Sequence, residues 1–229
     1  MKYFTLFATI LMCSNLQAQS PIGFNATAGV NSSSLVSEDL LANPAMGYKA
    51  GIVFNFGYHE TYNYQIETFY NKSTLDLLTV DSNYDDAGVS KFDYSTVDLG
   101  FYFNYYIIKL EEDAFYIGPQ AGMTFSFGGQ LEAQEATASD DEFYLPHLLN
   151  ENSLSTLPKM SYGAGLGLTG GYNDFRFDLR YTLGLNNILT DVQTNSYDEF
   201  NRYTGPVLEG KLNTISFTIS YRFFKLLGT

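Results

Sequence analysis

The chain has 229 residues, and its 12 basic and 25 acidic side chains give a formal net charge of −13, which argues against nucleic acid as a partner. After the N-terminal segment, no stretch approaches the ~20 apolar residues that a membrane-spanning helix needs, so a membrane role through helices is excluded. Tyrosine and phenylalanine number 19 each, and these side chains alternate with glycine and polar residues along much of the chain.

The N-terminal segment, residues 1–19, has the layout of a signal peptide. Lys2 supplies the positive start, residues 3–12 form an apolar run that is too short to span a bilayer, and Ala18 supplies a small residue at the exit. We expect cleavage after Ala18. The rest of the chain, residues 20–229, is expected to form one domain, because no linker-like change of composition divides it.

The one cysteine of the chain, Cys13, lies within this segment. A lipoprotein would carry its lipid on that residue, but Met12 stands before it, where a small residue is expected. Once the segment is removed, the chain has no cysteine. We therefore expect neither a disulfide nor thiol chemistry, and burial and hydrogen bonds must hold the fold together.

Eight segments alternate apolar and polar residues with the period of a β-strand. They are residues 22–31, 46–58, 61–73, 92–108, 114–127, 159–172, 175–186 and 211–224. The connections alternate strictly between short ones, around 59–60, 109–113 and 173–174, and long ones, at 32–45, 74–91, 128–158 and 187–210. In an up-and-down meander this order places all long loops on one rim and all tight turns on the other, which is the asymmetry of outer-membrane barrels.

The two faces of these strands differ in bulk. One face carries large uncharged side chains, for example Phe101, Phe103 and Phe217. The other face carries glycine, carboxamide and hydroxyl residues together with the strand charges Lys49, Glu67, Asp98, Arg176, Asp178, Arg180 and Arg222. The interior of an eight-stranded barrel takes about three layers of four side chains, so the aromatic face is too large for it, whereas the glycine-rich face fits.

We therefore predict an all-β fold, an eight-stranded antiparallel up-and-down transmembrane β-barrel with its aromatic face towards lipid. Its interior is expected to be narrow and polar, and its charges are expected to pair in a structural network, because an unpaired buried ion is costly. One alternative is a narrow porin-like or solute-binding barrel. Another is a soluble secreted β protein, which would display rows of glycine on solvent-facing strands, where glycine costs stability and packs nothing.

Several stretches of the chain carry a family resemblance. Gln65, Glu67 and Tyr70 lie in YNYQIETFYNKSTL, and a D-x-R-Y-x-x-G-L-x-N-I run begins at Asp178. Over nearly the whole mature chain these stretches resemble the small outer-membrane β-barrel proteins that include PorT-like proteins. The last predicted strand, LNTISFTISYRFF, resembles a terminal strand with the aromatic ending that barrel-assembly machinery recognises. Two features depart from the family pattern: Asp98-Leu99-Gly100 stands where a proline is usual, and KLLGT follows the terminal aromatics.

The resemblance implies a location and partners. It implies export to the outer membrane of a Gram-negative bacterium, insertion by the barrel-assembly machinery, and contact with membrane lipid and lipopolysaccharide. It also implies an accessory role in protein secretion, which one branch of the family is associated with. Such motifs specify the barrel well and the function poorly.

The four predicted long loops carry most of the charge. They hold 16 acidic residues against Lys91 and Arg202, a net charge of −14. Such a rim is expected to be solvated and to be bridged by divalent ions to anionic lipopolysaccharide, and the alternative is that it binds a basic protein partner.

One of these loops has the oxygen spacing of a calcium site, at Asp81, Asn83 and Asp85. Asp86 and Phe92 stand where an EF-hand requires glycine and glutamate, so the pattern predicts at most a weak cation-binding loop.

Catalysis is not indicated by either histidine. His59 lies in a predicted tight turn and His147 in the longest loop, so they lie on opposite rims and outside any Ser/His/acid motif. We predict no catalytic residue, no metal centre and no cofactor. The predicted function is a non-enzymatic outer-membrane barrel with a structural or interaction role through its acidic extracellular loops.

Overall fold

A computed structural model describes residues 22–38, 40–57, 59–80, 86–110, 115–133, 143–144, 160–190 and 208–226. Within these ranges the chain forms β1 (Ile22–Val36), β2 (Ala42–Phe56), β3 (Tyr62–Val80), β4 (Asp86–Tyr105), β5 (Ile108–Leu110), β6 (Phe115–Ala133), β7 (Phe143–Tyr144), β8 (Met160–Tyr172), β9 (Phe175–Gly184) and β10 (Lys211–Leu226). No helix in the described part of the chain is long and apolar enough to cross a membrane.

Eight long strands close into a barrel. Their order is β2-β1-β10-β9-β8-β6-β4-β3, and β2 also pairs with β3, so that the first and last members of this order meet. All the pairings are antiparallel. The short β5 pairs with β6 after a break in β4, and the two-residue β7 pairs with the end of β3. The eight-stranded antiparallel barrel predicted from the alternation is confirmed.

Three of the four predicted long loops are shorter in the structure than the sequence pattern predicts. The largest correction concerns 74–91, because β3 and β4 remain paired as far as Val80 and Asp86. Strand residues also take up the ends of 32–45 and the beginning of 128–158, since β1 runs to Val36, β2 begins at Ala42 and β6 runs to Ala133. The physical reason lies in the polarity of the two faces, described next.

Both faces of the β3–β4 hairpin change polarity at the same level. Near the rim of the tight turns, where β3 begins and β4 ends, the exposed outward side chains are apolar and the inward ones are polar. The outward set includes Tyr64, Tyr70, Val97, Phe101 and Phe103. Towards the far end, the outward side chains are polar and the inward ones are buried and apolar; these are Lys72, Thr74, Asp93 and Ser95 outside and Leu75, Leu77, Phe92 and Tyr94 inside.

The level of this exchange marks one surface of the bilayer. The pair Tyr70–Val97 and the pair Lys72–Ser95 are successive cross-strand neighbours on the outer face. Lipid favours an apolar exterior around a barrel, and water favours an apolar interior. The strands therefore leave the membrane between these two pairs and continue into water, and the alternation changes phase there, which gives the sequence pattern of a loop.

The opposite rim carries a chain of aromatic rings. Phe24, Phe54, Phe56, Tyr64 and Phe103 contact one another in turn, with ring centroids 5.0, 5.5, 5.8 and 5.5 Å apart. Aromatic girdles of this kind lie at the interface between bilayer and water. The rings therefore mark the second membrane surface, on the side of the tight turns.

The two levels predict how charge is tolerated along the outer face of β4. Phe101 lies midway along the outward apolar run, so Phe101→Arg should lower the free energy of unfolding by ~2–4 kcal/mol, whereas Ser95→Arg should cost ~0–1 kcal/mol. Urea unfolding in lipid vesicles measures both variants. Equal losses at the two positions would contradict the assigned membrane surface.

Candidate functional site in the barrel lumen

Arg176 on β9 fills the lumen near the rim of tight turns. Its Nε donates to both oxygens of Asp178, at 2.9 and 3.0 Å, and its Nη1 donates to Asn55 Oδ1 at 2.8 Å. Its Nη2 donates to Gln65 Oε1 and, at 3.1 Å, to Asn104 Oδ1. One guanidinium thus joins β9 to β2, β3 and β4 across the full width of the barrel.

Arg180 forms a second layer four residues after Arg176 on β9. Its Nη1 and Nη2 donate to the two oxygens of Glu67, at 2.5 and 3.1 Å, and Nη2 also donates to Gln120 Oε1 at 2.8 Å. Its guanidinium lies 3.6 Å from the centre of the Tyr102 ring. Gln65 Nε2 donates to Glu67 Oε2 at 2.7 Å, so the two layers are joined. We call the side chains of these two layers the arginine network.

Glycine residues make room for this network. A Cβ atom at Gly165 would collide with the hydroxyl end of Tyr102, and a Cβ atom at Gly100 would collide with the carboxylate arm of Glu67. The narrow interior therefore matches large side chains on some strands with glycine on their neighbours. This explains why the glycine-rich face lies inside.

Beyond the network the lumen opens into a polar cavity of about 60 Å³, which we call the chamber. Its walls include Lys49, Asp98, Thr96, Thr124, Ser126 and Ser216. Lys49 Nζ lies 4.1 Å from the centre of the Phe69 ring, and Asp98 accepts a hydrogen bond from Thr96 Oγ1 at 2.7 Å. Neither charge is in a direct ion pair with another described residue.

Above the chamber lies a cluster of buried apolar side chains, which we call the apolar plug. It consists of Leu35, Leu40, Leu75, Leu77, Phe92, Tyr94, Ile188, Leu189 and Leu208. Asn187 holds three backbone groups beside it: its Oδ1 accepts from the N–H groups of Leu189 and Gly210, at 2.9 and 2.8 Å, and its Nδ2 donates to the carbonyl of Leu208 at 2.6 Å. This residue fixes both ends of the connection between β9 and β10.

The structure brings together all but one of the lumen charges proposed from the sequence. Arg222 is the exception, because it lies at the rim of tight turns, level with the β8–β9 turn, where its Nε donates to Asp174 Oδ1 at 3.2 Å. That carboxylate is 56% exposed, so the pair is a surface one. The proposed cation loop, Asp81, Asn83 and Asp85, lies outside the described residues, as does His147.

Sequence reasoning missed two aromatic residues in the lumen, Phe69 and Tyr102, which are 2% and 3% exposed. Their positions along the strands could have identified them. Phe69 stands two residues after Glu67, and Tyr102 stands four after Asp98, so each shares the inward face of its strand. His59 lies in the turn before β3 with its ring stacked on Tyr62 at 4.7 Å. Within the described ranges no three His, Cys, Asp or Glu side chains group as metal ligands.

Truncation of Glu67 tests the network. Glu67→Ala leaves Arg180 buried without its carboxylate and should lower the free energy of unfolding by ~3–5 kcal/mol. Asp174→Ala removes the exposed partner of Arg222 and should cost ~0–1 kcal/mol. Urea titration of both variants in vesicles provides the comparison, and a loss at Glu67 no larger than that at Asp174 would show that the network contributes little.

A comparison with protein-family models agrees with this architecture. A family model described as outer membrane protein beta-barrel domain matches residues 17–190. No curated protein matches the sequence.

Several solved structures are similar at low identity. Ail, the attachment invasion locus protein of Yersinia pestis, solved in complex with the heparin analogue sucrose octasulfate, is 10% identical, with 89% of this chain and 99% of Ail covered and a TM-score of 0.43. Neisserial surface protein A is 14% identical, with 89% and 99% covered and a TM-score of 0.45. OprG from Pseudomonas aeruginosa is 12% identical, with 89% and 95% covered and a TM-score of 0.44.

Because the family model spans well over half of the chain, and because the strands close into a barrel with an apolar exterior, the protein belongs to the outer membrane protein β-barrel domain family.

Proposed function

We propose that this protein is a non-enzymatic, non-conducting outer-membrane barrel that holds acidic loops at the cell surface for contact with a partner. The observation that carries the proposal is the arginine network, in which two buried guanidinium groups bond to side chains from four of the other barrel strands. Ions that cross the barrel would have to break these contacts. Eight strands leave little lumen beyond what such side chains occupy.

The apolar plug supports the same proposal from the other side of the chamber. Its side chains are nearly all contributed by β1, β3, β4 and the two ends of the β9–β10 connection, and each is at most 6% exposed. An apolar constriction opposes the passage of hydrated ions, because their water has no replacement there. The arginine network and the apolar plug thus block the lumen at two successive levels.

The loops are the part of the molecule left for recognition. The acidic residues of 128–158 and 187–210 give this rim a negative field that attracts basic protein segments and divalent cations. We propose that the partner is a basic protein surface and that cations bridge the rim to lipopolysaccharide. Export through residues 1–19 and a PorT-like accessory role in secretion complete the proposal, and they rest on the leader pattern and on the resemblance in the run that begins at Asp178.

Electrical recording tests the closed lumen. Purified protein reconstituted in planar bilayers should give no conductance steps, because the arginine network and the apolar plug block the path. A general porin in the same bilayer is the positive control. Stable unitary steps would support a narrow porin-like barrel instead.

Site-directed labelling tests the placement of the loops. In a Cys13→Ser background, Ser153→Cys in the loop 128–158 should react with an impermeant maleimide on intact cells, whereas Glu60→Cys in the turn between β2 and β3 should react only after lysis. Reaction of Glu60→Cys on intact cells would reverse the orientation.

A photoreactive maleimide at the same Ser153→Cys position tests the partner. The crosslinked protein should present a basic surface, and Asp140→Asn, Asp141→Asn and Glu142→Gln together should reduce its yield about tenfold or more at low salt. As the matched control, the same photoreactive maleimide is attached at Glu60→Cys, on the rim of tight turns. An unchanged yield would remove the acidic loops from the proposal.

A further inference from the structure

The charges buried inside the described barrel balance one another. The arginine network uses Arg176 with Asp178 and Arg180 with Glu67, in direct pairs at 2.9 and 2.5 Å. Lys49 and Asp98 remain, with opposite charges, and both line the chamber. The set of six charges is therefore neutral as a whole, although one cation and one anion in it have no direct ionic contact.

Lys49 has more donors than its protein surroundings satisfy. The residue is only 8% exposed, and its ammonium group carries three N–H donors. Its Nζ lies over the face of the Phe69 ring, and within the described part of the chain no oxygen accepts a hydrogen bond from it. An ammonium buried without acceptors is costly, so the chamber must supply them.

The chamber has the size and the lining for water. A single water molecule needs a cavity of ~10–15 Å³ and has a share of ~30 Å³ in the liquid, so the volume of about 60 Å³ has room for about two. Besides the two charged residues, hydroxyl groups of Thr96, Thr124, Ser126, Ser161 and Ser216 line the walls. Empty cavities in proteins are apolar ones, whereas polar cavities of this size are hydrated.

The same charge balance argues against an ion as the occupant. An anion at Lys49 would leave the neutral lumen with a net negative charge, in a protein whose total charge is already −13. A cation at Asp98 would be repelled by Lys49, which lines the same chamber. A neutral polar molecule avoids both costs.

We propose that the chamber is a hydration site in which ordered water molecules bridge Lys49 to Asp98 and so complete the charge pairing of the lumen. The water accepts from Lys49 Nζ and donates to the Asp98 carboxylate, which also accepts from Thr96. Water-mediated bonds of this kind stabilise nearly as well as direct ones.

X-ray hydroxyl-radical labelling of the wild-type protein in vesicles tests the water itself. Radicals form from bound water and oxidise the side chains beside it. Tyr94 and Phe92, two residues apart on the same face of β4, both belong to the apolar plug, but only Tyr94 also lines the chamber. The two are 2% and 1% exposed. Tyr94 should be oxidised at least severalfold faster than Phe92. Equal protection of the two rings would overturn the proposal.

A double-mutant cycle tests the pairing. Lys49→Met and Asp98→Asn should each shift the unfolding equilibrium about tenfold or more towards the unfolded state, because each leaves one buried charge without its counterpart. The double variant should shift the unfolding equilibrium by a much smaller factor than the product of the two single-variant factors, since its lumen is neutral again. A shift in the double variant that equals the product of the two single-variant shifts to within about twofold would overturn the proposal.

A soak of wild-type crystals with bromide separates water from an anion. The proposal expects no ordered bromide in the chamber. An anomalous peak within hydrogen-bonding distance of Lys49 Nζ would overturn it.

Discussion

The narrowness of an eight-stranded barrel decides how its interior is filled. A charged side chain that points inwards meets the opposite wall, so it must find its partner there or remain unpaired at high cost. Arg180 reaches Glu67 and Gln120 on other strands, and Arg176 reaches Asn55 and Asn104. The inward glycines and the buried aromatic rings follow from this requirement.

The membrane surface divides the interior into two kinds of packing. Below it, lipid takes the apolar side chains outwards and polar groups fill the lumen; above it, water takes the polar side chains and the apolar plug fills the lumen. The run that begins at Asp178 serves both parts, since Asp178 and Arg180 belong to the arginine network and Asn187 fixes the backbone around Ile188 and Leu189. This run of residues thus has a local physical explanation in the chain.

The alternation of the sequence predicted the barrel, its closure and the inward position of Glu67, Arg176 and Arg180, because strand phase and the volume of the interior are both readable from residue types. The prediction was wrong where the strands leave the membrane, because apolar side chains there point inwards instead of outwards. The strand residues at 74–80 and 86–91 have the sequence pattern of a loop, since the apolar residues Leu75 and Leu77 have the opposite phase. Arg222 shares the inward phase, but phase does not give the height along the barrel, and its partner Asp174 lies in a turn.

The filled lumen is the central claim, and the arginine side chains report on it directly. In the protein labelled with ¹⁵N-arginine, NMR spectroscopy resolves the guanidinium N–H groups and their exchange with water. Arg176 and Arg180 should each give separate, slowly exchanging signals, because their guanidinium groups are buried inside the barrel, whereas Arg222 at the rim should exchange fast. Fast exchange of Arg176 and Arg180 at the rate of Arg222 would show a lumen open to water and contradict this account.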